Sequence, residues 1–305
     1  GAGSLGRKLL VTDTWNRDLL AQYGYLYYRD SQGLSNYQAL TAIARYRGRH
    51  AQFQAAYTFS HSIDHQSEPL QGDFFNLNFV NLSGGGQGEL RAAFTREGDI
   101  RRDRGSSDFD QRHNLVFYSI WELPRLGSTS PFGILFRDWR FAQLAAFRSG
   151  FPFSVAAPAL TDLATRETYF NNRADLVDPN GARLDPAPPV AGGKLLLNRA
   201  AFRSPSGAGN LGRNALGAPG FYNIDISLAR TFPVRWLGES GRITLRADAF
   251  NFLNHANLSG SDNFINDSTF GIAQYGRRGR ESGFPALTPF QEAGRQIQMI
   301  LRLEF

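Results

Sequence analysis

The strongest constraint on the fold is an alternation of apolar and polar side chains with a period of two residues. From residue 51 to residue 60 the apolar series is Ala51, Phe53, Ala55, Tyr57 and Phe59, and the opposite series is Gln52, Gln54, Ala56, Thr58 and Ser60. The same alternation occurs at residues 222–229, 243–249 and 296–305. Because a β-strand sends successive side chains to opposite faces, each segment is predicted to be a strand with one apolar and one polar or small face.

Weaker alternation at residues 20–29, 36–46, 112–122 and 138–149 raises the prediction to about eight strands. Helical periodicity is nearly absent, and one or two helical turns at Asp162–Thr168 are the most that is expected. The sequence therefore predicts an all-β fold.

The connections between these strands alternate between short or moderate and long. Those around residues 46–51, 122–138 and 231–242 are the shorter ones. Those around 64–111, 150–219 and 253–294 are long and rich in Gly, Asn, Asp, Ser, Arg and Pro. Only the connection from Asp30 to Ser35 breaks the alternation. Short turns on one side and long loops on the other are typical of bacterial outer-membrane barrels, so an antiparallel transmembrane β-barrel is predicted.

The alternation also predicts an orientation in a Gram-negative-type outer membrane. If the last strand runs inward, Phe305 ends in the periplasm and the long loops are extracellular. Aromatic residues near the predicted strand ends fit the aromatic girdles at the two membrane interfaces. They are Tyr57 with Phe59, Trp121, Trp139 with Phe141, Phe250 with Phe252, and Phe305.

Composition excludes several other classes. No apolar stretch of about 20 residues is present, which argues against membrane helices. The absence of Cys excludes a disulfide framework, a thiol nucleophile and a Cys-based metal centre. The net charge of +6 comes almost entirely from arginines scattered along the chain, so no nucleic-acid partner is expected.

No constellation of residues predicts catalysis, a cofactor or a metal site, and the chain is not expected to be an enzyme. His61, Asp64 and His65 have a spacing that occurs in metal sites, but two exposed loop histidines are the more economical interpretation. Asp175, Asp178 and Asp185 lack the spacing of a calcium loop. The sequon Asn257-Leu258-Ser259 is of a kind that is frequent by chance.

Polar residues expected to face the lumen are the better functional candidates. They are Gln52, Gln54, Asn223, Asp225, Arg246, Asp248, Arg302 and Glu304. Arg246 and Asp248 are expected to pair with Arg302 or Glu304 on the adjoining strand. The loop arginines Arg101, Arg102, Arg277 and Arg278 are candidates for binding lipopolysaccharide phosphates or an anionic ligand.

The sequence resembles TonB-dependent outer-membrane receptors, and within them the Oar-like subgroup. The stretches that carry the resemblance occur in the family's order: SNYQAL (35–40), AAYTFSHSID (55–64), RGSSDFDQRH (104–113) with ELP (122–124), SGFPF (149–153), NRADLV (172–177), NLGRN (210–214), GFYNIDIS (220–227), RADAFNFLNH (246–255) and RQIQ (295–298). Their order and spacing are more specific than any one of them. The resemblance runs from about Ser35 to Phe305.

The resemblance implies a 22-stranded barrel that encloses an N-terminal plug, of which residues 1–305 are the C-terminal portion without plug or TonB box. It implies active uptake of a bulky solute of unknown kind, with the TonB complex and the outer membrane with its lipopolysaccharide as partners. The terminal alternation ending in Phe305 is similar to the signal read by the barrel-assembly machinery.

Two other fold classes compete with a large receptor barrel. A small closed eight-stranded barrel with a structural or adhesion role would need bulky inward side chains, because such a barrel is nearly filled by them. The inward series here contains small groups such as Ala56, Thr58 and Ser227, which favours a wide lumen. A soluble β-sandwich that binds nucleic acid would need to bury the Phe53 and Leu245 faces against a second sheet.

Overall fold

The structure is a computed structural model. It describes residues 2–4, 27–29, 33–65, 67, 95, 99–123, 138–162, 168–169, 172–234, 236, 238–276 and 294–305. Of Ala2–Ser4, Tyr27–Arg29, Thr161 and Thr168 it describes only the backbone. Among the described residues, no helix is long and apolar enough to cross a bilayer.

Seven long strands form one antiparallel sheet in which neighbours in sequence are neighbours in space. They are β1 (Ser35–Arg47), β2 (Ala51–Asp64), β3 (His113–Glu122), β4 (Trp139–Arg148), β5 (Phe221–Pro233), β6 (Arg242–Phe250) and β7 (Gln296–Glu304). The short strand Gly105–Ser106 adds to the end of β2. This up-and-down order places the three long connections at one end of the sheet and the shorter turns at the other, as the loop pattern predicts. The two ends are called here the long-loop end and the short-turn end.

The predicted first strand at residues 20–29 lies mostly outside the described residues. Its described part, Tyr27–Arg29, pairs with Ala2–Ser4 in a separate two-stranded sheet and does not join β1. Of the helical turns expected at Asp162–Thr168, residues 163–167 lie outside the described part of the chain. Thr168 belongs to a strand, Thr168–Tyr169, that pairs with Leu160–Thr161.

The strand register separates two faces. The apolar face carries rows such as Phe53 beside Ser119, and Trp121 beside Phe141 beside Leu228. The polar face carries rows such as Ala142 beside Ser227 beside Asp248. Most predicted girdle aromatics lie on the apolar face, with Tyr57 and Phe59 toward the long-loop end and Trp121, Trp139 and Phe141 at the short-turn end. The assignment of Phe250 to a girdle is wrong: it lies opposite Gln296, on the same face as Asp248.

The sheet is open within the described residues. β1 and β7 are its two edges, and neither pairs with the other. Every residue of β1 is exposed, and Met299 of β7 is 77% exposed. Apolar side chains such as Leu40 and Leu301 on these edges therefore have no protein neighbour on their outer side among the described residues.

The long connections fold together into a compact unit, called here the loop module (described residues of 99–112, 150–219 and 251–276). It is built from short strand pairs: Pro152–Phe153 with Leu216–Gly217, Asp175–Leu176 with Phe202–Arg203, and the set Pro189–Val190, Gly193–Leu195 and Ile272–Gln274. Two 3-10 helices, Ile100–Asp103 and Arg199–Ala201, complete it. Its small apolar core contains Val155, Leu197, Phe202, Ile265 and Phe270, so residues from two long connections share one core.

Candidate functional site

All eight predicted lumen-facing residues lie on the polar face of the sheet. The register places Gln52 and Gln54 beside Arg47 and Arg45 of the edge strand, and the other candidates occupy alternate positions in β5, β6 and β7. They do not converge on one point. They line a strip that runs from the short-turn end to the long-loop end.

The charged candidates pair within strands, and the predicted pairing between strands is wrong. Arg246 Nε lies 2.8 Å from Asp248 Oδ1, and Arg302 Nη2 lies 2.9 Å from Glu304 Oε1. The register explains the difference, because Arg246 lies opposite Ile300 and Arg302 lies opposite Thr244. Residues two apart on one strand share a face, so each arginine finds its carboxylate on its own strand.

Asn223 and Asp225 belong to the long-loop end of this strip. Asn223 Nδ2 donates to Asp225 Oδ1 at 2.8 Å, and the same oxygen accepts the backbone N–H of Asn251 at 2.8 Å. Asn251, with a φ of +48°, lies in the turn that follows β6. The carboxylate thus ties the start of β5 to the start of the next connection.

Arg213 of the loop module forms an ion pair and hydrogen bonds with residues at the end of β2 and just beyond it, and so attaches the loop module to the sheet. Its Nη1 contacts Asp64 Oδ1 at 2.5 Å, and its Nη2 donates to Ser67 Oγ at 2.7 Å and to Asp108 Oδ1 at 3.0 Å. The Arg213 and Asp64 side chains are 12% and 5% exposed. A charged pair this far from solvent is stable only when its remaining hydrogen-bonding groups are occupied, as they are here.

A second buried ion pair lies deeper in the loop module. Arg173 Nη1 lies 2.6 Å from Asp103 Oδ1, and both side chains are almost fully buried. Arg173 also donates to the Leu211 and Arg102 carbonyls, while Asp103 accepts from both the backbone and the hydroxyl of Thr95. This network joins residues from different long connections.

The histidines suggested as a metal pair have separate roles. His61 Nε2 lies 2.8 Å from Arg112 Nη2, and Arg112 in turn pairs with Asp110 at 3.1 Å. His65 is buried, which corrects its assignment as an exposed loop residue, and its Nδ1 accepts the backbone N–H of Leu34 at 3.2 Å. Within the part of the chain that the structure describes, no group of three or more His, Asp or Glu side chains is placed to hold a metal ion.

Several other residues singled out in the sequence stabilise loops. Asp178 Oδ1 accepts the backbone N–H groups of Asn180 and Gly181, which closes a turn. Asn257, in the sequon, is buried and hydrogen-bonds both backbone groups of Tyr222. Arg102 donates to the carbonyls of Ala208 and Gly209, whereas Arg277 and Arg278 lie outside the described residues.

The loop module also has an open cavity of about 620 Å³. Its lining includes the buried Phe202 and Ile265 and the exposed Arg199, Arg203 and Asn266. Both arginines are already engaged: Arg199 donates to the Asp267 carbonyl at 3.1 Å, and Arg203 lies 3.5 Å from Asp175.

Sequence reasoning did not select Arg173 and Arg213 as site residues. Their partners are 70 and 149 residues away in the chain, a separation at which no local pattern reports a contact. The sequence feature that could have pointed to these two arginines is their position in the stretches NRADLV and NLGRN. There a charged side chain is surrounded by Gly, Asn and apolar residues.

An antiparallel sheet with one apolar and one polar face, with aromatic rows at both ends and long connections gathered at one end, is the wall of a transmembrane β-barrel. The chain belongs to the outer membrane beta barrel domain family, whose model matches residues 8–298. This confirms the predicted fold class and identifies the chain as an outer-membrane protein. No curated protein matches the sequence.

Proposed function

We propose that the chain forms part of the barrel of a TonB-dependent outer-membrane receptor of the Oar-like subgroup, which takes up a bulky solute through a plugged lumen. The observation that carries the proposal is the pair of open edges of the sheet: among the described residues, β1 and β7 each pair with a neighbour on one side only. Residues 1–305 would be the C-terminal portion of the barrel, and no covalent chemistry is assigned to them.

Open edges support a larger barrel. Backbone groups that meet hydrocarbon without a partner cost several kcal/mol each, so strands that span a membrane must pair on both sides. β1 and β7 each pair on one side only among the described residues. Additional strands that pair with β1 and β7 would satisfy the backbone groups of both edges. The seven strands would then not have to bend into a narrow cylinder.

The orientation is part of the same proposal. The loop module would lie outside the cell, and the short turns and Phe305 would lie in the periplasm. The partners are then the TonB complex, which acts on a plug, and the barrel-assembly machinery, for which the exposed Phe305 is the signal. Lipopolysaccharide would surround the apolar face at the long-loop end.

The decisive experiment combines native mass with energy coupling. The protein would be tagged at its chromosomal locus, extracted from outer membranes, and its intact mass measured; formaldehyde cross-linking in cells would then be probed with antibody against TonB. We expect a mass several-fold above 34 kDa and a TonB adduct. A mass near 34 kDa with a heat-modifiable gel shift and no adduct would replace this proposal with the small closed barrel.

The orientation has a separate test that exploits the absence of Cys from the sequence. Ser206 is exposed in the loop module, and Glu239 is exposed in the turn between β5 and β6. Each would be replaced singly, as Ser206→Cys and Glu239→Cys. A membrane-impermeant maleimide added to whole cells should label the first variant and not the second. The reverse pattern would invert the proposed orientation.

A further inference from the structure

We propose that the apolar face of the sheet binds the phosphorylated headgroup of a lipopolysaccharide molecule at its long-loop end. The site is a band of histidine, aromatic and arginine side chains, called here the histidine band: Tyr57, His113, Phe147, Tyr222, His255 and Arg295. The inference deepens the proposed function and rests on the orientation proposed there, which places the long-loop end in the outer leaflet. It assigns phosphate-binding groups to the lipid-facing side of the sheet, where the sequence suggested only aromatic residues.

The histidine band follows one row of the sheet across four strands. Tyr57 of β2 lies beside Leu115 of β3, Leu115 lies beside Phe147 of β4, and Phe147 lies beside Tyr222 of β5. Because neighbouring strands are about 4.8 Å apart, this row is about 14 Å long. The next row toward the middle of the sheet is apolar and consists of Ala55, Phe117, Ala145 and Ile224.

Two tyrosine–histidine pairs lie at the two sides of this row. Tyr57 Oη lies 2.8 Å from His113 Nδ1, and Tyr222 Oη lies 2.7 Å from His255 Nδ1. In both pairs the rings are stacked, with centroids 6.2 Å and 3.8 Å apart. His113 is exposed and His255 is half-buried. Each imidazole is therefore held by its tyrosine through Nδ1 and through its ring face.

The second ring nitrogen of each histidine remains available. Among the described residues neither Nε2 has a hydrogen-bond partner, and neither is shielded from its surroundings. When the tyrosine hydroxyl donates to Nδ1, the proton of a neutral imidazole is on Nε2, and an imidazolium carries a proton on both nitrogens. In both of these states Nε2–H can donate to a phosphate or sugar oxygen.

Arg295 adds a permanent positive charge beside His255. It directly precedes β7 and continues the lipid-facing series that includes Ile297 and Met299. Its backbone N–H donates to Asn254 Oδ1 at 3.1 Å, and Asn254 is the residue before His255. Its guanidinium is exposed and makes one hydrogen bond, from Nη1 to the Phe252 carbonyl at 3.4 Å. The planar guanidinium matches the geometry of a phosphate.

The apolar face treats an arginine differently at its short-turn end. Arg230 lies on the same face there, but its guanidinium lies 4.4 Å from the centre of the Phe232 ring and 5.7 Å from that of Trp139. Its side chain is buried beneath them. Aromatic rings thus cover the positive charge at the short-turn end, whereas Arg295 at the long-loop end is open to a ligand.

The chemistry of the histidine band selects the ligand. Ionisable groups that face lipid are costly unless they meet headgroups or water, so this band must lie at the level of the headgroups. Lipopolysaccharide presents a sugar disaccharide with a phosphate at each end, above several acyl chains. Donors at both sides of a row about 14 Å long, above an apolar row, match that shape. A phospholipid, with one phosphate, would engage one side of the band only.

The test uses the full-length protein purified from outer membranes and freed of bound lipid in detergent. One variant carries His113→Phe and His255→Phe together, which keeps the rings and removes their nitrogens, and a second carries Arg295→Met. The matched controls are His50→Phe and Arg49→Met, because both residues are exposed in the turn between β1 and β2 at the other end of the sheet. The probes are bis-phosphorylated lipid A, monophosphoryl lipid A and phosphatidylglycerol. Native mass spectrometry counts bound lipids, and thermal unfolding gives the Tm.

We expect the wild type to retain one molecule of bis-phosphorylated lipid A, which raises the Tm more than either other lipid does. The double histidine variant and Arg295→Met should each bind it about tenfold more weakly or worse, because hydrogen bonds to a charged phosphate are lost. Both controls should bind as the wild type does. Without lipid, Arg295→Met should keep the Tm of the wild type, since it loses one long hydrogen bond.

Three results would overturn the inference. The first is that the wild type retains no lipid A. The second is that phosphatidylglycerol binds and stabilises as well as lipid A does, which would make the band an ordinary lipid contact. The third is that Arg295→Met binds lipid A as the wild type does, and this variant decides even where the double histidine variant does not fold. Maleimide labelling, native mass and the TonB adduct do not depend on the band, so failure here is distinguishable from failure of the proposed function.

Discussion

At the scale of single residues, Arg213 is the side chain on which attachment of the loop module to the sheet most depends. Replacing it with Met leaves Asp64 as a buried carboxylate without its counter-charge. Breaking a buried pair from one side costs about 3–5 kcal/mol. We therefore expect Arg213→Met to destabilise the loop module by that order, measured as the urea dependence of loop proteolysis while the barrel stays folded.

Arg203→Met is the matched control for this prediction. Arg203 also pairs with an aspartate, Asp175 at 3.5 Å, but its side chain is 71% exposed. Exposed pairs contribute about 0–1 kcal/mol, so the control should hardly shift the proteolysis midpoint. Equal shifts in both variants would show that the Arg213 contacts do not hold the module to the sheet.

The contacts of individual polar side chains were the feature least predictable from the sequence. Alternation placed Arg246, Asp248, Arg302 and Glu304 on the polar face, since period two depends only on strand geometry. It did not predict their partners, because these depend on the stagger between strands. In the observed register Arg302 of β7 lies opposite Thr244 of β6, and no feature of either strand alone specifies that register.

At the scale of elements, the two faces of the sheet should respond oppositely to charge. Ala249 lies on the apolar face in a row with Ile226 and Gln143, further from the short-turn girdle, and Ala142, the residue before Gln143, lies on the polar face at nearly the same depth. A Lys on the lipid face near the midplane costs about 2–4 kcal/mol, while a lumen position tolerates it. We expect Ala249→Lys to lower the unfolding midpoint in detergent far more than Ala142→Lys does.

The opposite order would assign the apolar face to the lumen, and equal effects would argue that neither face meets lipid. Cell-surface yield, measured in parallel, separates failed assembly from reduced stability.

The loop module makes its own prediction, which depends on close backbone packing. A Cβ at Gly209 would lie 1.7 Å from the Arg173 carbonyl oxygen, whereas Gly217 has nothing within 4 Å of its Cβ position. Gly209→Ala should cost about 1–3 kcal/mol through overpacking. Gly217→Ala should stay within about 0.5 kcal/mol, as surface changes usually do. Urea-dependent proteolysis of the loops measures both, and a tolerant Gly209→Ala would show that the 172–174 backbone can move away.

Elements differ in how far sequence predicts them. The predicted strands at 36–46, 112–122 and 138–149 agree with β1, β3 and β4 to within one or two residues, because local alternation is enough to define a strand in a meander. The loop module was predicted only as long connections. Its two- and three-residue strands pair across tens of residues, as Leu195 does with Ile272, and too few residues alternate to give a signal.

At the scale of the whole molecule, the two open edges make the sharpest prediction. In an edge strand of an antiparallel sheet, alternate backbone N–H groups point away from the neighbour. If β1 and β7 lie in hydrocarbon, those groups must be paired in the native protein, because each unpaired one costs several kcal/mol. Amides throughout residues 35–47 and 296–304 should then exchange with deuterium as slowly as those of the central strands β4 and β5.

Hydrogen exchange with mass spectrometry on native outer-membrane vesicles tests this, with the exposed residues Ser204 and Ser206 of the loop module as the fast-exchanging reference. Slow exchange at both edges would mean that the sheet is closed, either by further strands or by pairing of β1 with β7. The intact mass of the protein then distinguishes a wide receptor barrel from a narrow one. Fast exchange of alternate amides along β1 and β7, with β4 and β5 protected, would place these edges in water. The polar face would in that case line an open groove, and uptake through a closed barrel would be withdrawn.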